Sequence, residues 1–434
     1  MATMTVTGSE LVVALSGSEK VAGVHGDIRV PLSAVRDVAV VDDPVTGVRG
    51  LRAPGLAVPG RTKIGTWRRQ GGRTFVVARR GTPAVRVTLE GAGYTELMVG
   101  DTDAQALADR VRAAAGLPEP AAEERVTFPS GDLTLGGTLA LPPAGAGGAG
   151  PHPVALVITG SGPLDRDANH RSMRIGTSRD LAHALARAGV ASFRYDKRGV
   201  GESQGDYLAA GLHDNVDDAR AALDWLRSRP EIDPSAVFVI GHSEGAVITT
   251  ALAAEPTADL AGIVLLAGMA KTGEETLTWQ TRQIAGDLPA PVRLVLRVLR
   301  TDVIAKQAEA VSRIKATTTD VAWIQGRKTN ARWTREFIAF DPAPHLRALR
   351  VPVLAVTGAN DVQVDPADLE TIAALVDGDV TTVLVPGVSH LLRREGEGDG
   401  GLRGYKQQVR RPTDPEVLAL VTDWITGRLL PADL

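Results

Sequence analysis

Six apolar runs, "PVALVITG", "VASFRYD", "AVFVIG", "AGIVLLAG", "VPVLAVTG" and "VTTVLVPG", recur between residues 153 and 387. Apart from "VASFRYD", none alternates apolar with polar residues as a strand with one wet face would. A strand without that alternation is buried on both faces, which is the condition of a parallel sheet covered by helices. The intervening sequence supplies those helices in amphipathic patterns such as "SRDLAHALARAG", "NVDDARAALDWLRSR", "EGAVITTALAAE" and "PADLETIAALV", and "PEVLALVTDWITGRLL" closes the chain. Two further strand candidates, "ERVTFPS" and "LTLGGTLALP", come first. The expected fold is α/β, a mostly parallel sheet flanked by helices. In such sheets ligands bind at the carboxyl ends of the strands, so the informative residues are those just after each run.

The rhythm is different before "GLPEPAAEE", which reads as a linker. Residues 1–115 carry short segments ("ELVVALS", "DIRVPLSAV", "RDVAVVDD", "TFVVARRG", "AVRVTLE", "TELMVGD") bounded by Gly, Pro or Asp, and then the helical "DAQALADRVRAAAG". Antiparallel strands and one C-terminal helix are expected there. The reading is therefore a small, mainly β domain at 1–115, a linker at 116–123 and an α/β domain at 124–434. The Pro/Gly stretch from Pro142 to Pro153 reads as a surface loop.

The chain's 434 residues include 48 basic and 51 acidic ones, a net charge of −3, which gives nucleic acid and anionic membranes no electrostatic pull. With no cysteine, thiolate chemistry and disulfides are excluded. No run reaches the roughly 18 apolar residues of a membrane span. The opening "MATMTVTGSE" lacks the basic and apolar regions of a secretory signal, so a cytoplasmic location is expected.

The run "AVFVIG" leads into Gly241-His242-Ser243-Glu244-Gly245 and then directly into a helix. A sharp strand-to-helix turn needs small flanking residues and thrusts the central serine out above the sheet. Ser243 is therefore the candidate nucleophile. A serine needs a base, and of the eight histidines only His390, in "LVPGVSHLL", lies downstream of it and just after a strand. Asp361, in "VTGANDVQVD", falls between them in chain order and is the candidate acid; Asp365, before Pro366, reads better as a helix cap. Two backbone donors are expected for an oxyanion: Glu244, and Ser161 or Gly162 in the loop after "PVALVIT". In that loop, "GSGPLD", neither GxGxxG nor Gly-Lys-Ser/Thr completes a phosphate-binding reading.

Taken together, "GHSEG", "GSGPLDRDAN", "YDKRGVGES" and "PGVSHLL" resemble bacterial esterases of the α/β-hydrolase superfamily, in its serine aminopeptidase-like branch. The resemblance covers residues 124–434. It implies Ser243 as nucleophile, Asp361 as acid, His390 as base, and Ser161 and Glu244 as oxyanion donors, with neither metal nor organic cofactor. The first domain resembles the pleckstrin-homology-like fold in architecture only.

A mostly helical insertion at about 269–349 is expected to form a lid over the sheet edge, with "APVRLVLRVLRTDVIAKQAEAVSRIK" burying an aliphatic stripe and Trp279, Trp323 and Trp333 packing it down. Arg166 is expected to pair with nearby carboxylates and stiffen the rim. The expected activity is hydrolysis of a small-molecule carboxylic ester through an acyl-enzyme. The alternatives are an aminopeptidase, an acyl-thioesterase, or a non-catalytic binding protein on the same scaffold. An aminopeptidase would need a lid carboxylate for the substrate ammonium, for which Glu274, Glu275 and Asp302 are candidates. For the first domain, docking onto the hydrolase or self-association is expected over lipid binding by Arg61, Lys63, Arg68, Arg69, Arg79 and Arg80.

Overall fold

The computed structural model describes every residue except 1, 49, 70–71, 118–120, 144–145, 147–149, 258, 289–290, 292–294, 297, 299–301, 325 and 430–434, together with all side chains of the remainder but that of Arg69. The middle of the expected linker, the centre of the Pro/Gly loop and part of the lid stripe lie outside the described residues. The chain forms two compact units, Met1–Pro120 and Ala121–Leu434.

In the second unit eight strands form one sheet, in the order Ala122–Ser130, Leu133–Leu141, Ala191–Tyr195, His152–Ile158, Ile232–His242, Gly262–Leu266, Val353–Gly358, Val380–Val385. Only Leu133–Leu141 runs against the rest, through the hairpin with Ala122–Ser130 and its antiparallel pairing to Ala191–Tyr195. This is the α/β-hydrolase arrangement. Five of the six apolar runs bury both faces; the edge strand Val380–Val385 does not, since Thr381, Thr382 and Leu384 are exposed. Along His152–Ile158, Val154, Leu156 and Ile158 join one core, with the helices Leu212–Arg227 and Glu244–Ala253. Ala155 and Val157 join the other, with Thr177–Arg187 and Pro415–Gly427. Strand His152–Ile158 pairs with Ile232–His242 in parallel, Ile158 opposite Gly241, so their carboxyl ends open side by side.

The insertion is a lid of helices Gly273–Gly286, Val303–Lys315, Ala331–Ala339 and Pro342–Ala348, plus a hairpin, Val321–Ile324 with Arg327–Asn330, that the helical pattern did not announce. The expected stripe is weaker than its spacing suggested. In Val303–Lys315 only Ile314 is buried, and Trp323 on the hairpin is 69% exposed instead of packing the lid down.

The first unit holds a three-stranded and a six-stranded sheet, with helix Ala104–Ala114 packed on the core through Leu107, Ala108 and Val111. It departs from the expected antiparallel set in three ways. Strands Thr3–Thr7, Leu51–Val58 and Thr62–Arg69 are additional, helix Gly17–Gly23 is a further element, and Gly72–Arg79 pairs in parallel with Glu96–Gly100. Its basic residues do not form one uncommitted patch. Arg79 pairs with buried Glu19 at 2.7 Å, and Lys63 donates to the Val48 carbonyl at 2.7 Å. Among the described residues no helix is long and apolar enough to cross a membrane.

In the hydrolase unit Phe193 is fully buried, its ring 4.7 Å from that of Trp225 and 5.5 Å from that of Phe128. Phe193→Ala is expected to lower unfolding free energy by about 3–5 kcal/mol in urea titration, because a buried aromatic leaves both lost contacts and a cavity. A loss under about 1 kcal/mol would show that this cluster does not anchor the sheet to its helix.

Candidate active site

The strand Ile232–His242 ends at His242, and the helix Glu244–Ala253 begins at Glu244. Ser243 alone makes the turn, at φ 57° and ψ −116°, backbone that an L-residue occupies at a cost of about 1–3 kcal/mol. The glycines explain how the fold sustains it. A Cβ on Gly241 would run into the Gly245 carbonyl, and one on Gly245 into the Ile158 carbonyl of the neighbouring strand. The Ser243 N–H donates to the Leu266 carbonyl at 2.9 Å, tying the turn to the next strand as well.

Above this turn the structure brings together three side chains drawn from the ends of three strands. The Ser243 Oγ lies 3.1 Å from His390 Nε2, and His390 Nδ1 lies 2.8 Å from Asp361 Oδ2. Asp361 is held from its other side, its Oδ1 accepting the N–H groups of Gln363 at 2.7 Å and Val364 at 2.9 Å. That carboxylate can only accept, so His390 donates Nδ1–H to it and leaves Nε2 free to accept the Ser243 proton. Asp365 is occupied elsewhere, accepting the Ala367 N–H and pairing with Lys271 at 2.9 Å.

The expected oxyanion segment also meets the turn: a Cβ on Gly160 would lie 3.3 Å from that of Ser243. Glu244, as the first helical residue, has an N–H with no acceptor inside the helix. Ser161 is exposed. Burial raises the Tyr207 pKa above its ordinary value, with the charge of Glu244 adding to the effect. Arg166 is consumed by the rim: its guanidinium pairs with Asp196 and Glu202, both at 2.6 Å, and donates to the Gly137 carbonyl.

Four side chains escaped the sequence reading. His242 donates its Nε2–H to the His390 carbonyl at 2.8 Å and so fastens the His390 loop to the turn. Burial, with the charge of His390 second, pushes its pKa down to about 3. The other three surround the buried Glu244 carboxylate. Lys197 pairs with its Oε2 at 2.8 Å, while Asn215 and the Trp333 indole donate to its Oε1 at 2.9 and 2.7 Å. The available signals were a lysine just after a strand end, in "YDKRG", and the lid tryptophan Trp333, expected only to pack the lid down; nothing local marked Asn215.

The chain belongs to the hydrolase family described as serine aminopeptidase, S33, whose family model matches residues 171–397. It is 26% identical over 305 residues to esterase EstD of Thermotoga maritima, an alignment spanning 69% of this chain and 68% of that one. It is also 32% identical over 161 residues to an uncharacterized protein of Mycobacterium tuberculosis, spanning 37% and 51% of the two chains. Among solved structures it is similar to a proline iminopeptidase of Mycobacterium smegmatis, with 17% identity, TM-score 0.49, and coverage of 71% of this chain and 100% of that one. Est1E of Butyrivibrio proteoclasticus gives 16%, TM-score 0.47, and coverage of 70% and 98%.

A histidine neutral in the folded state but protonated in the unfolded one lowers stability as pH falls below its unfolded value near 6.5. His242 is such a group down to about pH 3. His242→Gln, which can keep the donor to the His390 carbonyl, is therefore expected to lose less unfolding free energy than the parent between pH 7 and pH 5 in urea titrations. Equal losses would contradict the assigned burial.

Proposed function

We propose that this hydrolase cleaves small-molecule carboxylic esters through an acyl-enzyme formed on Ser243. The observation that carries this reading is the hydrogen-bonded line from Ser243 Oγ through His390 to Asp361, at 3.1 and 2.8 Å. Ser243 Oγ attacks the ester carbonyl while its proton passes to His390 Nε2. The N–H group of Glu244 and that of Ser161, or of Gly162 next to it, receive the oxyanion. Collapse of the tetrahedral intermediate expels the alcohol, which takes the proton from His390. Water, deprotonated by His390, then releases the acid by the same steps. Asp361 holds the imidazole in the required tautomer and stabilises the imidazolium. The likeness to an esterase of Thermotoga maritima points the same way.

The lid's carboxylates favour an ester over a peptide with a free amino terminus. Glu274 pairs with Lys315 at 2.7 Å, Glu275 caps its own helix through Thr272, and Asp302 accepts the N–H groups of Ile304 and Ala305. Each of the three is already committed, so none of them is poised for a substrate ammonium. For the first unit we keep self-association, on a pleckstrin-homology-like architecture, as the working role.

Ser243→Ala and His390→Ala are each expected to cut turnover of an activated aryl ester by about 10⁶-fold while leaving the circular-dichroism spectrum unchanged. Asp361→Asn is expected to lose about 10⁴-fold. Near-normal turnover in Ser243→Ala would overturn the mechanism, and aminoacyl amides cleaved faster than esters would overturn the substrate class.

A further inference from the structure

The same peptide unit that contains the Gly160 carbonyl contains the Ser161 N–H. A trans peptide is planar, so its C=O and N–H point in opposite directions. Whatever holds the carbonyl therefore sets where the N–H points. In this fold the holder is the Lys197 ammonium, which donates to the Gly160 oxygen at 2.7 Å. The same ammonium lies 2.8 Å from Glu244 Oε2, on the residue that supplies the other backbone donor. One charged group thus grips both segments from which an oxyanion would be held.

The environment leaves that ammonium little other use. The side chains of Lys197 and Glu244 are 5% and 1% exposed. A buried ion pair is weak evidence of a contribution to stability, since apolar replacements of equal volume are often as stable or more so. Its presence beside the nucleophile calls for another account, and two effects supply one. Donation to the Gly160 oxygen polarises the peptide and strengthens its N–H as a donor. The positive charge also cancels a carboxylate that would otherwise face the developing oxyanion with the same sign. Asn215 and Trp333 occupy the remaining carboxylate oxygen, so Glu244 cannot rotate away without breaking charge-assisted hydrogen bonds. Trp333 stands on the lid helix Ala331–Ala339, its ring stacked 4.9 Å from that of Phe337.

We propose that Lys197 is a positioning residue that sets the direction and spacing of the Ser161 and Glu244 backbone donors by bridging the Gly160 carbonyl and the Glu244 carboxylate. The inference rests on the serine-hydrolase reading above. An aryl trifluoromethyl ketone probes it directly. Ser243 Oγ adds to its carbonyl carbon, the C=O π bond becomes the oxyanion, and the serine proton moves to His390.

The test compares the full-length protein with Lys197→Met and with the double variant Lys197→Met, Glu244→Gln, in which no buried charge is left alone. The double variant is expected to recover the melting temperature lost by the single one. In both, kcat should fall by about 10- to 100-fold, as for a reacting group displaced by a fraction of an ångström to an ångström. The inhibition constant of the ketone should rise by the same factor while KM stays within about threefold. If Lys197→Met does not fold, the double variant decides alone. Folded variants whose kcat and ketone affinity stay within about twofold of the parent would overturn the role of Lys197 and leave the serine-hydrolase reading standing. A parent that hydrolyses no ester and binds no ketone would overturn both.

Discussion

The strained backbone at Ser243 is the constraint on which the site depends. A residue at φ 57° and ψ −116° is not stable by itself, and three contacts hold it there. The strand before it is locked between neighbours in the parallel sheet, the helix after it packs on the same core, and its own N–H is bonded to the Leu266 carbonyl. Gly241 and Gly245 permit that compression because side chains there would collide with backbone. The hydroxyl thereby stands where the next two strands deliver Asp361 and His390. The sheet stores the cost of the turn and returns it as fixed geometry.

Charge compensation is the second theme. The rim holds many ionised groups close to a half-buried site, and each of those described is paired with a partner from a different element. Arg166 joins the loop after His152–Ile158 to Asp196 and Glu202, Arg198 joins the adjacent loop to Asp218 at 2.8 Å, and buried Arg393 lies 3.5 Å from Asp180. These pairs order loops that carry no secondary structure of their own. The Lys197–Glu244 pair belongs to this set chemically but also holds the Gly160 carbonyl, next to the Ser243 turn.

The residues legible in the sequence are those whose position is locally encoded. Ser243 sits in a pattern of strand, glycine-flanked turn and helix within a few residues. Asp361 and His390 each follow an apolar run, and chain order does the rest. Lys197, Asn215 and Trp333 converge on Glu244 from a strand end, a helix and the lid, and no local pattern links such distant positions. In the first unit the strand Leu51–Val58 was masked by Pro54 and Gly55, which break its alternation. The "TFVVA" run does carry a signal of two-sided burial, with Phe75 and Val77 in one core and Val76 and Ala78 in the other. Side-chain periodicity says nothing about strand direction, so the parallel pairing of Gly72–Arg79 with Glu96–Gly100 had no counterpart in the pattern.

The measurement that bears most directly on the central claim is mass spectrometry of the intact protein after reaction with a fluorophosphonate, followed by peptide mapping. The account predicts one adduct per chain, on Ser243. Labelling of another residue, or none in a folded protein that still hydrolyses esters, would contradict it.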